Sequence, residues 1–331
     1  MAPLTGQLAA DLLQKYEPVL CFDSANNVLP MDTAPYVRHC SLWQAPRASL
    51  SFGKPKMLKG RGQITRRDLG EMQYDANSVY YLRFAELDDA TAQAMKRQGI
   101  TVTTEHIIKA ALAKYNALPQ ADRAPAYHGR AFNSGRYTVL QYWFFYPVND
   151  FKTSHGGIND HEGDWEGLSL FLPRVDRTAA DEPPVAAATH PAEDRWWQPL
   201  ALLAAAHNDS AARDWPDVEK EGEHPRCYVA RGSHATYYHP GQHSVDRADG
   251  RGIIVGPGAG RPWQRVILPV DPLPNWVTRY NGAWGYFSRD ALGGFNGPGG
   301  LTHTLKFHLF KGFYHAPRTT WTDPVGTAGL A

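Results

Sequence analysis

Two apolar runs in the middle of the chain restrict its fold most strongly. The first, YTVLQYWFFYPV, occupies residues 137–148, and the second, WEGLSLFL, occupies residues 165–172. Both are rich in aromatic and β-branched residues and are bounded by Gly, Pro, Asn or Asp, which is typical of β-strands. Shorter runs of the same kind are PVLCF, SVYYLRF, RCYVARG and GIIVG. The sequence therefore predicts a chain built mainly from strands.

Helical signals are few, and they do not alternate with the strands. GQLAADLLQKY has leucines at helical spacing, and TTEHIIKAALAKYNAL predicts a second helix over 104–118 that ends before Pro119. A parallel doubly wound sheet requires strands and helices in alternation. We therefore expect a mainly β fold, an antiparallel β-sandwich with a few peripheral helices and long loops.

The domain organisation follows from the length and from two compositional changes. All-β folds of more than 200 residues often form one unit, so we expect residues 1–331 to be a single domain. The Pro- and Ala-rich stretch 173–199 is predicted to be an inserted loop. The Gly- and Trp-rich region 256–331 is predicted to wrap around the sandwich rather than to form a second domain.

Charge and apolar patterning exclude some functions. The chain has 34 basic and 33 acidic residues, a net charge of +1, so nucleic-acid binding is not expected. No apolar stretch approaches the roughly 18 residues that cross a bilayer, and the first residues do not resemble a signal peptide. The scattered Cys21, Cys40 and Cys227 favour a reducing compartment, although a Cys21–Cys40 disulfide stays open. These features predict a soluble, cytoplasmic protein without a transmembrane segment.

A cluster of charged residues lies against the second apolar run, in NDHEGDWEGLSLFL. Side chains alternate along a strand, so Asp164 and Glu166 share one face, while His161 lies three residues earlier in a turn that Gly163 permits. Carboxylates with an imidazole favour Mg²⁺, Ca²⁺ or Mn²⁺ over a structural zinc ion. The alternative is a solvated strand end whose carboxylates cap turns and pair with Lys or Arg.

Two other strand ends supply further candidates. Asn149 and Asp150 end the first apolar run, and a hairpin between the two runs brings Asp150 toward His161. His234 follows Gly232 and Ser233 just after another predicted strand. A single histidine in such a position is more often structural, but three strand ends that each offer a ligand favour convergence on one site.

Three long motifs resemble the vacuolar protein sorting 62-related family: LQYWFFYPVND, HEGDWEGLSLFL and HPRCYVARGSHATYYHPG. The resemblance continues in PVLCFDSANNVLP, YNGAWG and WTDP, so it extends over most of the chain. A more distant similarity is to the necrosis- and ethylene-inducing toxin-like proteins, whose hallmark is a glycine followed by His-Arg-His-Asp-Trp-Glu.

The distant similarity implies a β-sandwich that holds a divalent cation in a surface cavity. Residue by residue, the implied ligands are Asp150 (with Asn149 as a competitor), His161, Asp164, Glu166 and His234. This chain departs from the toxin-like motif, because Gly163 replaces its second histidine and Asp160 replaces its leading glycine. That departure argues against toxin activity.

Some neighbouring residues are candidates for substrate contact or proton transfer. His207 ends an apolar stretch, and the related family tends to carry a histidine there; it lines the same cavity or is a polar strand end. His234 and His207 are the candidate catalytic residues. Arg231 and Tyr237, which flank His234, are candidates for binding an anionic group of a substrate.

Three functions stay open on this basis. The first is a metal-dependent enzyme, a hydrolase or lyase acting on a small-molecule, lipid or glycan substrate, in which a histidine moves a proton. The second is a non-catalytic module that binds a glycan or lipid headgroup with the help of the ion. The third is a cytolytic, toxin-like protein. The family resemblance does not decide among them, because a fold does not specify chemistry.

Overall fold

The computed structural model describes residues 2–4, 6–22, 28–46, 55–75, 78–85, 94–95, 97–99, 104–150, 161–174, 198–204, 212–243, 253–255, 264–266, 270–272, 274–285, 304–308, 312–316 and 323–330. The fold is mainly β, an antiparallel sandwich with few, mostly short helices, as predicted. In the described residues, no helix is long and apolar enough to cross a membrane.

Among the described residues, the helices with defined bounds are α1 (Gln7–Lys15), α2 (Thr33–Arg38), α3 (Arg66–Gly70), α4 (Thr104–Ala117), α5 (Asn275–Arg279) and α6 (Pro324–Thr327), with a 3₁₀ turn at Trp215–Asp217. The two helices predicted from the sequence are α1 and α4. α1 buries Ala9, Leu12 and Leu13 on one side, as the helical spacing of its leucines predicts.

The strands are β1 (Ala2–Leu4), β2 (Val19–Phe22), β3 (Ser41–Pro46), β4 (Lys56–Lys59), β5 (Ser78–Arg83), β6 (Tyr127–Ser134), β7 (Tyr137–Asn149), β8 (His161–Pro173), β9 (Ala201–Ala204), β10 (Ala212–Asp214), β11 (Lys220–Glu221), β12 (His224–Val229), β13 (Thr236–Tyr237), β14 (Gly241–His243), β15 (Ile253–Val255), β16 (Gln264–Val266), β17 (Val270–Pro272), β18 (Thr304–His308) and β19 (Gly312–Ala316).

The main sheet has seven strands in the order β1-β6-β7-β8-β9-β10, with β17 also paired to β6. A five-stranded sheet has the order β11-β12-β2-β16, with β13 on β12, and a three-stranded sheet has the order β4-β3-β5. The pairs β2–β12 and β6–β17 are parallel, and the other strand pairs are antiparallel. Side chains of the two larger sheets meet in one core, to which Phe22, Cys227 and Leu140 all belong.

The hairpin of β7 and β8 lies at the centre of the main sheet, and its two faces are both covered. All thirteen residues of β7 are buried. On one face the hydroxyl of Tyr142 donates to the carbonyl oxygen of Leu13 in α1 at 3.0 Å. On the other face Phe145 packs against Tyr36 and Trp284, with ring centroids 4.6 and 5.4 Å away. This double burial explains why the hairpin sequence is continuously apolar instead of alternating.

The predicted insertion and the C-terminal segment are described only in part. β8 ends at Pro173, and residues 175–197 of the insertion lie outside the described residues. In the C-terminal region, residues 274–285 carry Val277, Tyr280 and Trp284 into the main core. All three cysteines are buried free thiols, so Cys21 and Cys40 are not bridged.

Candidate metal centre

The candidate site lies where β7 ends, β8 begins and the loop after β12 turns. The antiparallel register of β7 and β8 pairs Asn149 with His161 and Tyr146 with Asp164. The loop after β12 carries His234, and it is joined to the end of β7 by a hydrogen bond from the Asp150 amide to the carbonyl of Gly232 at 3.0 Å. Three distant parts of the sequence are thereby brought to one place.

Asp164 is the centre of this cluster. Its side chain is only 5% exposed, and its Oδ2 lies 3.0 Å from His234 Nδ1 and accepts from Asn149 Nδ2 at 3.2 Å. Its Oδ1 lies 3.8 Å from His161 Nε2. A carboxylate this far removed from water requires charged or hydrogen-bonding partners, because burying its charge without them costs on the order of several kcal/mol.

His234 is held in a strained but well-supported loop. Its φ of 57° makes it the non-glycine residue with positive φ among those described; histidine is one of the residues that adopt this conformation more readily than most. The loop is closed by hydrogen bonds from the His234 amide to the Ala230 carbonyl (3.1 Å) and from the Ala230 amide to the Ala235 carbonyl (2.8 Å). Strain of this kind is found most often at functional sites.

The rings of His234 and Tyr146 are stacked, which fixes the plane of the imidazole. Their centroids are 3.9 Å apart and their planes differ by 5°. Burial raises the pKa of the Tyr146 phenol well above its usual value, and the negative charges of Glu166 and Asp164 raise it further. Tyr146 pairs with Asp164 across the hairpin and Glu166 lies two residues further along β8, so both carboxylates lie on the face of the sheet that Tyr146 shares, as strand alternation predicts. Sequence reasoning missed Tyr146, because a tyrosine within an aromatic run has no signal that separates it from the core.

Gly163 allows another segment to pack directly against the start of β8. Its φ is +64°, and a Cβ on this residue would lie 2.4 Å from the carbonyl oxygen of Trp284. A Cβ on Gly285 would similarly meet the carbonyl oxygen of Glu162 at 2.0 Å. The two backbones therefore touch, and no larger residue fits at either position. This contact gives a physical reason for glycine at position 163. His161 lies at the first position of β8 rather than in the turn that was predicted.

Glu162 belongs to the charged motif but serves a different purpose. It is 1% exposed, and its carboxylate accepts hydrogen bonds from the backbone amides of Phe84 and Ala85. These two residues follow β5, so Glu162 joins the three-stranded sheet to the start of β8. It is a structural anchor beside the cluster.

Asn149 contacts two members of the cluster through its side chain. Its Nδ2 faces Asp164 Oδ2 and, at 3.5 Å, the carbonyl oxygen of Ser233, so it orients Asp164 and ties it to the His234 loop. The main chain of Asp150 is hydrogen-bonded to Gly232 in the His234 loop. The sequence predicts Asp150 as the ligand at the end of this strand, with Asn149 as the alternative. The two residues are neighbours, so the register of the hairpin decides which of them lies opposite His161.

Three of the remaining predicted residues, Glu166, Arg231 and Tyr237, are among those that the structure describes. Glu166, 3% exposed, lies two residues along β8 from Asp164. Arg231 is exposed at the start of the His234 loop. Tyr237 is half-buried and packs against a separate apolar group that includes Val19 and Tyr228. His207 lies outside the described residues.

The donor atoms suit a hard divalent cation in their chemistry, but they contact one another directly. Among the residues that the structure describes, no three His, Cys, Asp or Glu side chains are arranged as a metal-ion site. Asp164 Oδ2 and His234 Nδ1 are hydrogen-bonded to each other at 3.0 Å. Binding an ion at this point therefore requires these side chains to turn toward it.

Comparisons with known proteins give limited information. No family model matches this chain, and no curated protein matches it. One similar solved structure is necrosis- and ethylene-inducing protein 2 from the causal agent of witches' broom disease of cocoa, at 15% identity over 72% of this chain and 70% of that chain, with a TM-score of 0.31. Another is NLPPya in complex with mannosamine, at 12% identity over 77% and 74% of the two chains, also with a TM-score of 0.31. These scores are too low to support an inference about the site or the activity of this chain.

Proposed function

We propose that the cluster around Asp164 binds one divalent cation, and that the cation enables the protein to bind an oxygen-rich ligand such as a glycan, a lipid headgroup or a small molecule. The observation that supports it most is the convergence on one buried carboxylate of two histidines, His161 and His234, from different parts of the chain. The candidate ligands are His161, Asp164, Glu166 and His234, with Asp150 as a further candidate.

The composition of the cluster favours certain ions. Carboxylate oxygens are preferred by Mg²⁺, Ca²⁺ and Mn²⁺, and the two imidazoles favour Mn²⁺ among these. No thiol belongs to the cluster: in the described residues Cys21, Cys40 and Cys227 lie in the apolar cores. A structural zinc site of the thiolate type is therefore not expected.

The residues around the candidate ligands would hold them in place. Asn149 donates to Asp164, and the ring of Tyr146 supports that of His234. Such outer contacts orient the ligands of an ion and influence its affinity strongly. When bound, a divalent ion supplies positive charge that attracts and orients ligand oxygens. His161, with 11% of its side chain exposed, marks the more accessible side of the cluster.

A second candidate function, a metal-dependent hydrolase or lyase, is favoured by the contact between His234 and Asp164. A histidine whose Nδ1 is held by a carboxylate is fixed in one tautomer and orientation, as a general base requires. The same contact is expected if the pair only holds an ion in place. His234 is 1% exposed, so proton transfer to a ligand requires access from the side of His161.

One pair of assays separates these functions. The protein is applied to a saccharide array with Ca²⁺ or Mn²⁺ and again with chelator, and it is incubated with chromogenic ester and phosphodiester substrates under the same conditions. Retention that depends on the ion, without turnover, supports the binding module. Turnover that is abolished by chelator and by His234→Asn supports the enzyme. Retention or turnover that chelator does not change argues against the proposal.

A further inference from the structure

A basic and apolar surface lies on β4, the following turn and α3, outside the candidate metal centre. Residues 55–71 contain five basic and two acidic residues, a net charge of +3, whereas the entire chain has a net charge of +1. We call this the β4–α3 surface. Its charge is therefore a local concentration and does not follow from the composition of the chain.

The same surface exposes two large apolar side chains. Met57 is 51% and Leu58 is 36% exposed, and both are in β4, at the edge of the three-stranded sheet. The pairing of β4 with β3 is irregular at this point, so strict alternation of side chains does not apply to Leu58, and both apolar side chains are exposed to solvent. Lys56 and Lys59 are placed directly before and after this pair. An arrangement of exposed apolar residues flanked by lysines is found where a protein lies on a lipid surface, because the long lysine chains keep their charges in the headgroup layer.

The charges are carried on a rigid support. α3 begins with a capping box, in which the Thr65 hydroxyl and the Asp68 carboxylate bind each other's backbone amides, and it is fixed to the core by Leu69, which is fully buried. Arg66 and Arg67 are exposed on this helix. An ion pair of 3.4 Å between Lys59 and Asp68 joins the helix to β4, so the two elements form one surface.

The edge of β4 is poorly suited to pairing with the strand of another protein. It has only four residues, a lysine at each end and an irregularity in its register with β3 at Leu42 and Trp43. Short length, edge lysines and bulges are the features that prevent strand addition. A flat anionic surface needs no backbone pairing and fits both the charge and the exposed apolar side chains.

We infer that the β4–α3 surface binds anionic membranes peripherally, with Met57 and Leu58 entering the headgroup layer and the basic side chains contacting acidic lipids. Each basic side chain near an acidic lipid surface increases the affinity for the membrane by roughly fivefold. This inference does not rest on the proposed cation site.

The test is a vesicle co-sedimentation assay on the full chain, with phosphatidylcholine vesicles and with vesicles of phosphatidylcholine and phosphatidylserine. We expect binding to the second kind only, and weaker binding as the NaCl concentration rises. Lys56→Gln with Arg66→Gln is expected to weaken binding by roughly tenfold or more. Met57→Ser with Leu58→Ser is expected to weaken it at unchanged charge.

The matched control removes two exposed positive charges elsewhere, by Arg97→Gln with Lys109→Gln. It has the same net charge as the first variant and should bind vesicles like the parent. Equal losses in the two charge variants, or no binding to acidic vesicles, would overturn the inference. The inference would also be overturned if the protein bound polyglutamate or single-stranded DNA at least as well as vesicles and the Lys56→Gln, Arg66→Gln variant lost that binding. The partner would then be an acidic polymer. The circular dichroism and melting temperature of each variant show whether it is folded.

Discussion

The imidazole of His234 lies flat on the phenol ring of Tyr146, with ring centroids 3.9 Å apart. Tyr146 is in β7 and His234 is in the loop between β12 and β13, so this contact joins the loop of the five-stranded sheet to the centre of the main sheet. The ring of Tyr146 has a clear packing role, whereas its hydroxyl is buried and has no hydrogen-bond partner among the described residues.

Tyr146→Phe is therefore expected to leave the free energy of unfolding unchanged in chelator, or to raise it. A buried hydroxyl without a partner destabilises a protein by about 1–3 kcal/mol, and the phenylalanine keeps the ring contact with His234. The matched control is Tyr142→Phe, because the hydroxyl of Tyr142 donates to the Leu13 carbonyl and its removal should cost about 1 kcal/mol. Urea denaturation measures both. A loss in Tyr146→Phe as large as in the control would show that its hydroxyl is bonded.

Gly163→Ala is expected to destabilise the fold by about 3 kcal/mol or more. The new Cβ would collide with the backbone of Trp284, and the positive φ of the residue adds strain. Gly135 is a suitable control, since its φ is also positive, +57°, but a Cβ there meets nothing within 4 Å. Gly135→Ala should cost only the backbone strain, about 1–2 kcal/mol. Similar losses in the two variants, measured by thermal or urea unfolding, would contradict the close contact with Trp284.

His234→Asn is expected to reduce cation affinity by roughly tenfold to a hundredfold. Asparagine tolerates the positive φ of this position, so the loop should keep its shape while the imidazole is removed. The control is His224→Asn. His224 is the first residue of β12, and its ring contacts the carbonyl oxygen of Glu17 at 3.0 Å. Isothermal titration with Mn²⁺ should separate the two variants. Equal affinity in both would mean that His234 is purely structural.

Asp122 provides a prediction about pH that does not involve the candidate site. Its hydrogen bond with His39, 2.8 Å long, lowers the pKa of its carboxyl, and the charge of Arg38 lowers it further. Because the folded pKa is below the unfolded one, the stabilisation is complete above about pH 4 and is lost as the pH falls through the folded pKa. The parent should therefore be more stable than Asp122→Asn at neutral pH by up to about 1 kcal/mol. That difference should shrink below about pH 4 in urea titrations, and a difference that stays constant to pH 2 would contradict the assignment.

Much of the fold could be predicted from the sequence because the strongest signals are local. The runs at β7 and β8 are long, aromatic and bounded by turn residues, and α1 and α4 have helical spacing within one segment. The same local alternation placed Asp164 and Glu166 on one face of β8. These features depend on neighbours in sequence.

The rest depends on contacts between distant residues. The residue of β7 that lies opposite His161 is set by the register of the hairpin, which pairs it with Asn149, and a shift of one residue would change the partner. The need for glycine at 163 comes from Trp284, 121 positions later in the sequence. The role of Tyr146 comes from its stacking on His234, in the loop after β12. No local pattern contains this information.

The central claim is tested most directly by titrating the chelated protein with Mn²⁺ and Ca²⁺ in a calorimeter, for the parent and for Asp164→Asn. The substitution keeps the size of the side chain and removes the buried charge on which the cluster converges. Asp122→Asn, which removes a carboxylate far from the cluster in sequence, is the control. We expect one site per chain in the parent and in the control, a rise in stability of about 2.7 kcal/mol at a hundredfold excess of ion over Kd, and no site in Asp164→Asn. Absence of binding in the parent, or equal binding in Asp164→Asn, would contradict the proposed cation site.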